Sequence, residues 1–102
     1  MQDFDTALNT FLDGIRAKLA AHFAKHFPSS TPPMIETSKG RRYIRVIKND
    51  VVSRSVHCFV DTTNGDVLKA DGWKTPAKHA RGNIFNDNNG LDGVSVWGAV
   101  YL

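Results

Sequence analysis

Three groups of residues in this sequence are of types that could do chemistry. His22 and His26 stand four apart in a helical stretch, the spacing by which a helix offers two imidazole nitrogens to zinc. Phe23 occupies the place of a metalloprotease helix's glutamate, and a third ligand would have to come from His57, Cys58 or His79. His57 and Cys58 are neighbours in an alternating stretch. On a regular strand they point to opposite faces, which removes them as a nucleophile–base pair. Cys58 shares its face with Val56 and Val60 and reads as a buried structural thiol. The Asn/Asp-rich stretch 86–93 lacks the alternating oxygen ligands and closing glutamate of a calcium loop. The sequence therefore assigns no catalytic residue, no metal and no cofactor, and binding is expected over catalysis.

The third group is basic. Ten of the thirteen Lys and Arg residues fall between positions 39 and 81, against four of the ten acids, so that the positive field belongs to the middle of the chain. Lys39, Arg41, Arg42, Arg45 and Lys48 surround Tyr43, and on a regular strand Arg41, Tyr43, Arg45 and Ile47 point one way. Lys74, Lys78, His79 and Arg81 follow Trp73 as a second cluster. A basic face bearing aromatic rings suits single-stranded nucleic acid, because charge follows phosphates and rings stack on bases. The expected anion-binding residues are Arg41, Arg42, Tyr43, Arg45, Lys48, Trp73, Lys74, Lys78 and Arg81. The same residues would suit an acidic protein partner, or a solvated face whose long stems cover apolar surface.

The elements that position these residues read as one α+β domain over 1–102. Phe4, Leu8, Phe11, Ile15 and Leu19 keep one stripe of a helix over 3–27, which Asp3 or Asp5 can cap and Pro28 ends. Gly14, Ala17, Ala21 and Ala24 form a second stripe, suited to self-association or simply to a solvent face. A stiff Pro/Ser loop over 28–33 separates the helix from the rest. Strands are expected at 34–37, 43–48, 51–61 and 67–70, making a three- to four-stranded antiparallel meander. Asn64-Gly65 should close its tightest hairpin with two positive φ angles. Thr75-Pro76 signals a short second helix over 76–81, ended by Gly82. Val94, Val96, Trp97, Val100 and Tyr101 suggest a last strand or a docked tail. The first helix should dock Phe4, Leu8, Phe11 and Ile15 on the face bearing Val56, Cys58 and Val60.

Composition limits the classes open to such a chain. With 41% hydrophobic and 23% charged residues it is too apolar for disorder. Its apolar runs are far below the roughly 20 residues that cross a bilayer, so no membrane role is expected. One cysteine excludes an internal disulfide and fits a reducing compartment.

Residues 64–70 (Asn-Gly-Asp-Val-Leu-Lys-Ala) and 73–85 (Trp-Lys-Thr-Pro-Ala-Lys-His-Ala-Arg-Gly-Asn-Ile-Phe), preceded by a basic strand and Phe59-Val60-Asp61, resemble a group of small uncharacterised proteins of tailed bacteriophages. The resemblance covers roughly 40–102. Members tend to end in a Gly-Pro-Tyr-Gly-like tail, from which Val96–Leu102 departs. It implies a phage origin and the cytoplasm of an infected bacterium, but no activity. A non-catalytic accessory protein is the expectation, with a modulator of a host protein, a virion component or an enzyme as alternatives.

Overall fold

The computed structural model describes residues 3–50, 53–95 and 98–99. Helix α1 runs Phe4–His26. The Asp3 carboxylate accepts the Thr6 N–H at 2.7 Å, satisfying one of the donors that a helix start leaves unpaired. The helix ends at Phe27, directly before Pro28. Its buried side is Ala7, Phe11, Leu12, Ile15 and Leu19, while Phe4 and Leu8 are only partly covered. The docking stripe is thus the expected one, turned slightly so that its full burial falls on Phe11 and Ile15; of its expected sheet partners Cys58 and Val60 face it, whereas Val56 pairs with Ile47 on the opposite face.

Five strands follow: β1 Met34–Lys39, β2 Tyr43–Asn49, β3 Arg54–Asp61, β4 Asp66–Ala70 and β5 Pro76–Asn83. They pair antiparallel in chain order, a meander with β1 and β5 as its edges. Helix α1 covers one face, where Ile35, Ile44, Val46, Cys58, Val60 and Val67 complete a core with Ile84 and Val94. Among the described residues no helix is long and apolar enough to cross a membrane.

Two expectations need correction. The sheet has five strands rather than three or four, because residues 76–81 form β5 instead of a short helix. Six residues cannot repay helix nucleation, and propensity yields to tertiary pairing. Pairing on β4 satisfies the backbone of a strand that carries buried Val67 and Leu68. Pro76 opens an edge strand, where its missing N–H costs no ladder bond. Asn83 Nδ2 then locks the register by donating to Asp66 Oδ1 and to the Asn64 carbonyl.

The β3–β4 hairpin is present, but its turn differs. The loop spans residues 62–65, and Gly65 alone is left-handed, at φ 81°. The Gly65 N–H donates to the Asp61 carbonyl at 2.8 Å, so a single positive φ suffices to reverse the chain.

The only other helical turn among the described residues is a 3₁₀ turn at Leu91–Gly93, followed by β6 (Val94–Ser95) paired with β7 (Gly98–Ala99). Val96, Trp97, Val100 and Tyr101 lie outside the described residues. This segment is bound to α1: Lys18 Nζ donates to the carbonyls of Leu91 and Val94 at 2.5 and 2.9 Å. Gly14 packs so closely on Leu91 that a Cβ there would lie 2.4 Å from the leucine Cδ1. The gap in the small-residue stripe is therefore filled by the chain itself. Ala17, Ala21 and Ala24 are exposed.

Candidate functional site

The face of the sheet turned away from α1 carries Tyr43, Arg45 and Ile47 of β2 beside Phe59 of β3 and Leu68 of β4. Ile47, Phe59 and Leu68 are buried, so this face has its own small apolar centre. The β4–β5 loop folds over it. Arg45 Nε donates to the Trp73 carbonyl at 2.7 Å, and its guanidinium lies 5.0 Å from the centre of the Trp73 ring. Arg54 reaches the same ring at 5.7 Å while pairing with Glu36 at 3.3 Å. Trp73 is held over the sheet by two arginines.

Beside it, the β1–β2 turn shapes an open cleft of about 430 Å³. Arg41, Arg42, Arg45 and Lys74 line it with charge, Lys39 borders it at the end of β1 while pairing across with Ile44 of the α1 side, and Tyr43 and Phe59 supply its apolar wall. The turn is fixed by Gly40 N–H donating to the Tyr43 carbonyl at 2.9 Å, and by contacts at Arg42. The Arg42 carbonyl accepts both the N–H and the hydroxyl of Thr62, each at 2.7 Å. Its guanidinium pairs with Asp61 at 3.0 Å and lies 5.2 Å from the centre of the Tyr43 ring. Asp61 is buried. Burial opposes its ionisation, but the Thr63 hydroxyl and N–H and the Arg42 guanidinium outweigh that and hold its carboxyl below the usual range. Asp61 therefore neutralises Arg42. Lys39, Arg41 and Lys74 make no ion pair among the described residues.

Of the nine residues expected to bind an anion, Arg41, Arg42, Tyr43, Arg45 and Lys74 meet at this cleft and Trp73 adjoins it. The other three do not join them. Lys48 pairs across with Ile35, a core residue, so it belongs to the α1 side of the sheet. Lys78 and Arg81 lie on β5, with β3 and β4 between them and β2. At a strand spacing of about 4.8 Å that is roughly 14 Å. Arg81 also donates to the His79 carbonyl of its own strand. The expected second cluster depended on a helix over 76–81, and as a strand that segment carries Lys78 and Arg81 away from Lys74. Asp61 was missed, although Asp61-Thr62-Thr63 is readable as a turn in which the carboxylate accepts from the residue two on.

His57 and Cys58 do meet, contrary to the expectation for a regular strand. Val46 pairs with Cys58 and Ile47 with Val56, leaving His57 as an extra residue, a β-bulge. The bulge breaks the alternation and brings His57 Nδ1 to 3.4 Å from Cys58 Sγ. The Ser95 carbonyl, 2.8 Å from Nε2, can only accept, so Nε2 carries the proton and Nδ1 faces the thiol as an acceptor. Burial pushes the His57 pKa down to about 4 against the raising effect of the Ser95 carbonyl, with Lys48 and Lys18 adding to the fall. Burial also pushes the Cys58 thiol far up. The pair is neutral, with no thiolate and no solvent contact, and serves the core. Native protein at pH 8 should leave Cys58 unreacted with a water-soluble disulfide reagent, and urea should expose one thiol per chain. Rapid reaction of the folded protein would return Cys58 to consideration as a nucleophile.

The His22 and His26 rings lie 4.6 Å apart. His57 is committed to Cys58 and Ser95, and no group of three metal-ligating side chains is assembled among the described residues.

Fold and site together define a small α+β protein: one helix on a five-stranded meander, with a basic aromatic cleft on the opposite face. Residues 7–98 match the model of the family described as "Family of unknown function (DUF7717)", and the chain belongs to that family. No curated protein and no solved structure matches it.

Proposed function

We propose that this protein is a non-catalytic accessory protein that holds an anionic partner, single-stranded nucleic acid foremost, in the cleft at the β1–β2 turn. One observation carries the reading: four cationic side chains and two aromatic rings converge there, and the nearby carboxylate of Asp61 is already engaged by Arg42. Arg41 and Lys74 would meet phosphate oxygens. Tyr43, half-buried and edge-on to Phe59 at 6.3 Å between ring centres, would stack a base. The resemblance to tailed-phage proteins extends the reading to an infected bacterium's cytoplasm.

Fluorescence anisotropy with labelled single- and double-stranded oligonucleotides at low salt tests it. For two phosphate contacts on a single strand, log affinity should fall with log salt at a slope of about 1.4. Tyr43→Ala should remove about 1–3 kcal/mol of binding. Arg41→Ala should weaken binding and flatten the salt slope by about one contact's worth. A flat titration at tens of micromolar protein sinks the nucleic-acid reading. A host protein partner would then be sought at Phe27 and Met34, which stand 48% and 67% exposed. In that case Phe27→Ser with Met34→Ser should abolish biological effect without changing the melting curve.

A further inference from the structure

We infer that the cleft is a discrete pocket for one terminal phosphomonoester of a nucleotide, rather than a track along which a strand runs. The inference rests on the nucleic-acid reading above and sharpens it. A track needs cations spaced along a groove, with room for about four or more nucleotides. Here the cations that could extend one are engaged or placed elsewhere: Arg54 is paired with Glu36, Lys48 is on the helix side, and Lys78 and Arg81 lie on β5, three strands from β2. What remains converges. Arg41 from the β1–β2 turn and Lys74 from the β4–β5 loop meet around a single cavity of about 430 Å³. That volume is within the roughly 300–1,000 Å³ of small-molecule pockets.

The charge balance points the same way. Arg42 is neutralised by Asp61, and Arg45 is anchored to the Trp73 carbonyl and ring. Two cations without an ion pair among the described residues, Arg41 and Lys74, then face one cavity. An internal phosphodiester brings a single negative charge, whereas a terminal phosphomonoester brings about −1.5 to −2 at neutral pH, with a third oxygen to accept hydrogen bonds. Two convergent cations match the charge of the monoester. Tyr43 beside them, backed by the buried Phe59, suits the base that a terminal nucleotide can swing free of its neighbours.

The test uses the whole chain and one short single-stranded sequence in three forms: 5′-phosphorylated, 3′-phosphorylated, and hydroxylated at both ends. A free nucleoside monophosphate and its nucleoside serve as competitors, which separates a strand end from a free nucleotide as the source. One phosphorylated form should bind about tenfold or more tighter than the hydroxylated strand, the worth of an added charge-assisted contact. The monophosphate should compete and the nucleoside should not. The preference should fade as pH drops below about 6, where the second phosphate proton returns. Lys74→Ala should erase the preference while leaving the melting temperature unchanged. Equal binding of all three strands, with no competition by the monophosphate, overturns the pocket while the broader reading stands. Absence of binding by every probe removes both.

Discussion

Phe11→Ala is expected to remove about 3–5 kcal/mol of stability, the largest effect of any single truncation on α1. Phe11 has no exposed surface and stands in the centre of the helix's buried stripe, between Ala7 and Ile15. Its ring fills the space between the helix and the face carrying Val46, Cys58 and Val60. Those strands are tied to one another by their ladder and cannot collapse into the void, so the cavity cost adds to the lost transfer energy. Leu8→Ala, at a partly covered position, should cost clearly less. Urea unfolding followed by circular dichroism measures both. A Phe11→Ala loss below about 1 kcal/mol would mean that α1 contributes little to the core.

Acid should destabilise the protein well before its carboxylates titrate. His57 takes up a proton at about pH 4 in the folded chain and near 6.5 when unfolded. Between those values the unfolded chain holds the extra proton, so stability falls as pH drops from about 6.5 to 4 and then levels for this group. The full window amounts to roughly 3 kcal/mol at about 1.4 kcal/mol for each pH unit. Lys18 of α1 and Lys48 of β2 keep the site hostile to a charged imidazole. Asp61, held ionised by Thr63 and Arg42, adds its own loss only below the ordinary aspartate range. His57→Gln keeps an N–H donor for the Ser95 carbonyl and cannot titrate, so its stability should be flat from pH 6.5 to 4.5. Equal acid sensitivity in the variant and the parent would assign the effect to another group.

The helix was legible because Phe11, Ile15 and Leu19 repeat with its period and Asp3 marks its start. The first four strands were legible through β-branched runs and turn residues. β5 was not, since Thr75-Pro76 carries a helix signal that only the open edge of β4 overrides. Nor was the bulge at His57: no glycine marks it, and a strand of perfect alternation would have the same sequence. Most of the cleft could be read because Arg41, Arg42, Tyr43 and Arg45 are nearly contiguous. Lys74 joins them through the folding of a loop, and Lys78 leaves them because its segment is extended. Neither displacement has a local cause.

The two hydrogen bonds of Lys18 bind positions 73 and 76 residues further along the chain. During synthesis, α1 leaves the ribosome before the sheet and yet has no carbonyl to receive its lysine until Leu91 and Val94 emerge. Bringing such distant positions together is slow, because the closure entropy is spent before any contact repays it. The helix must therefore wait beside a growing sheet, with Phe11, Ile15 and Leu19 lacking part of their final cover. Nascent chains halted before residue 91 should be cut by protease within α1, and chains long enough to expose residue 94 outside the tunnel should resist. The last turn of the fold acts as its latch, and the order of synthesis decides when that latch can close.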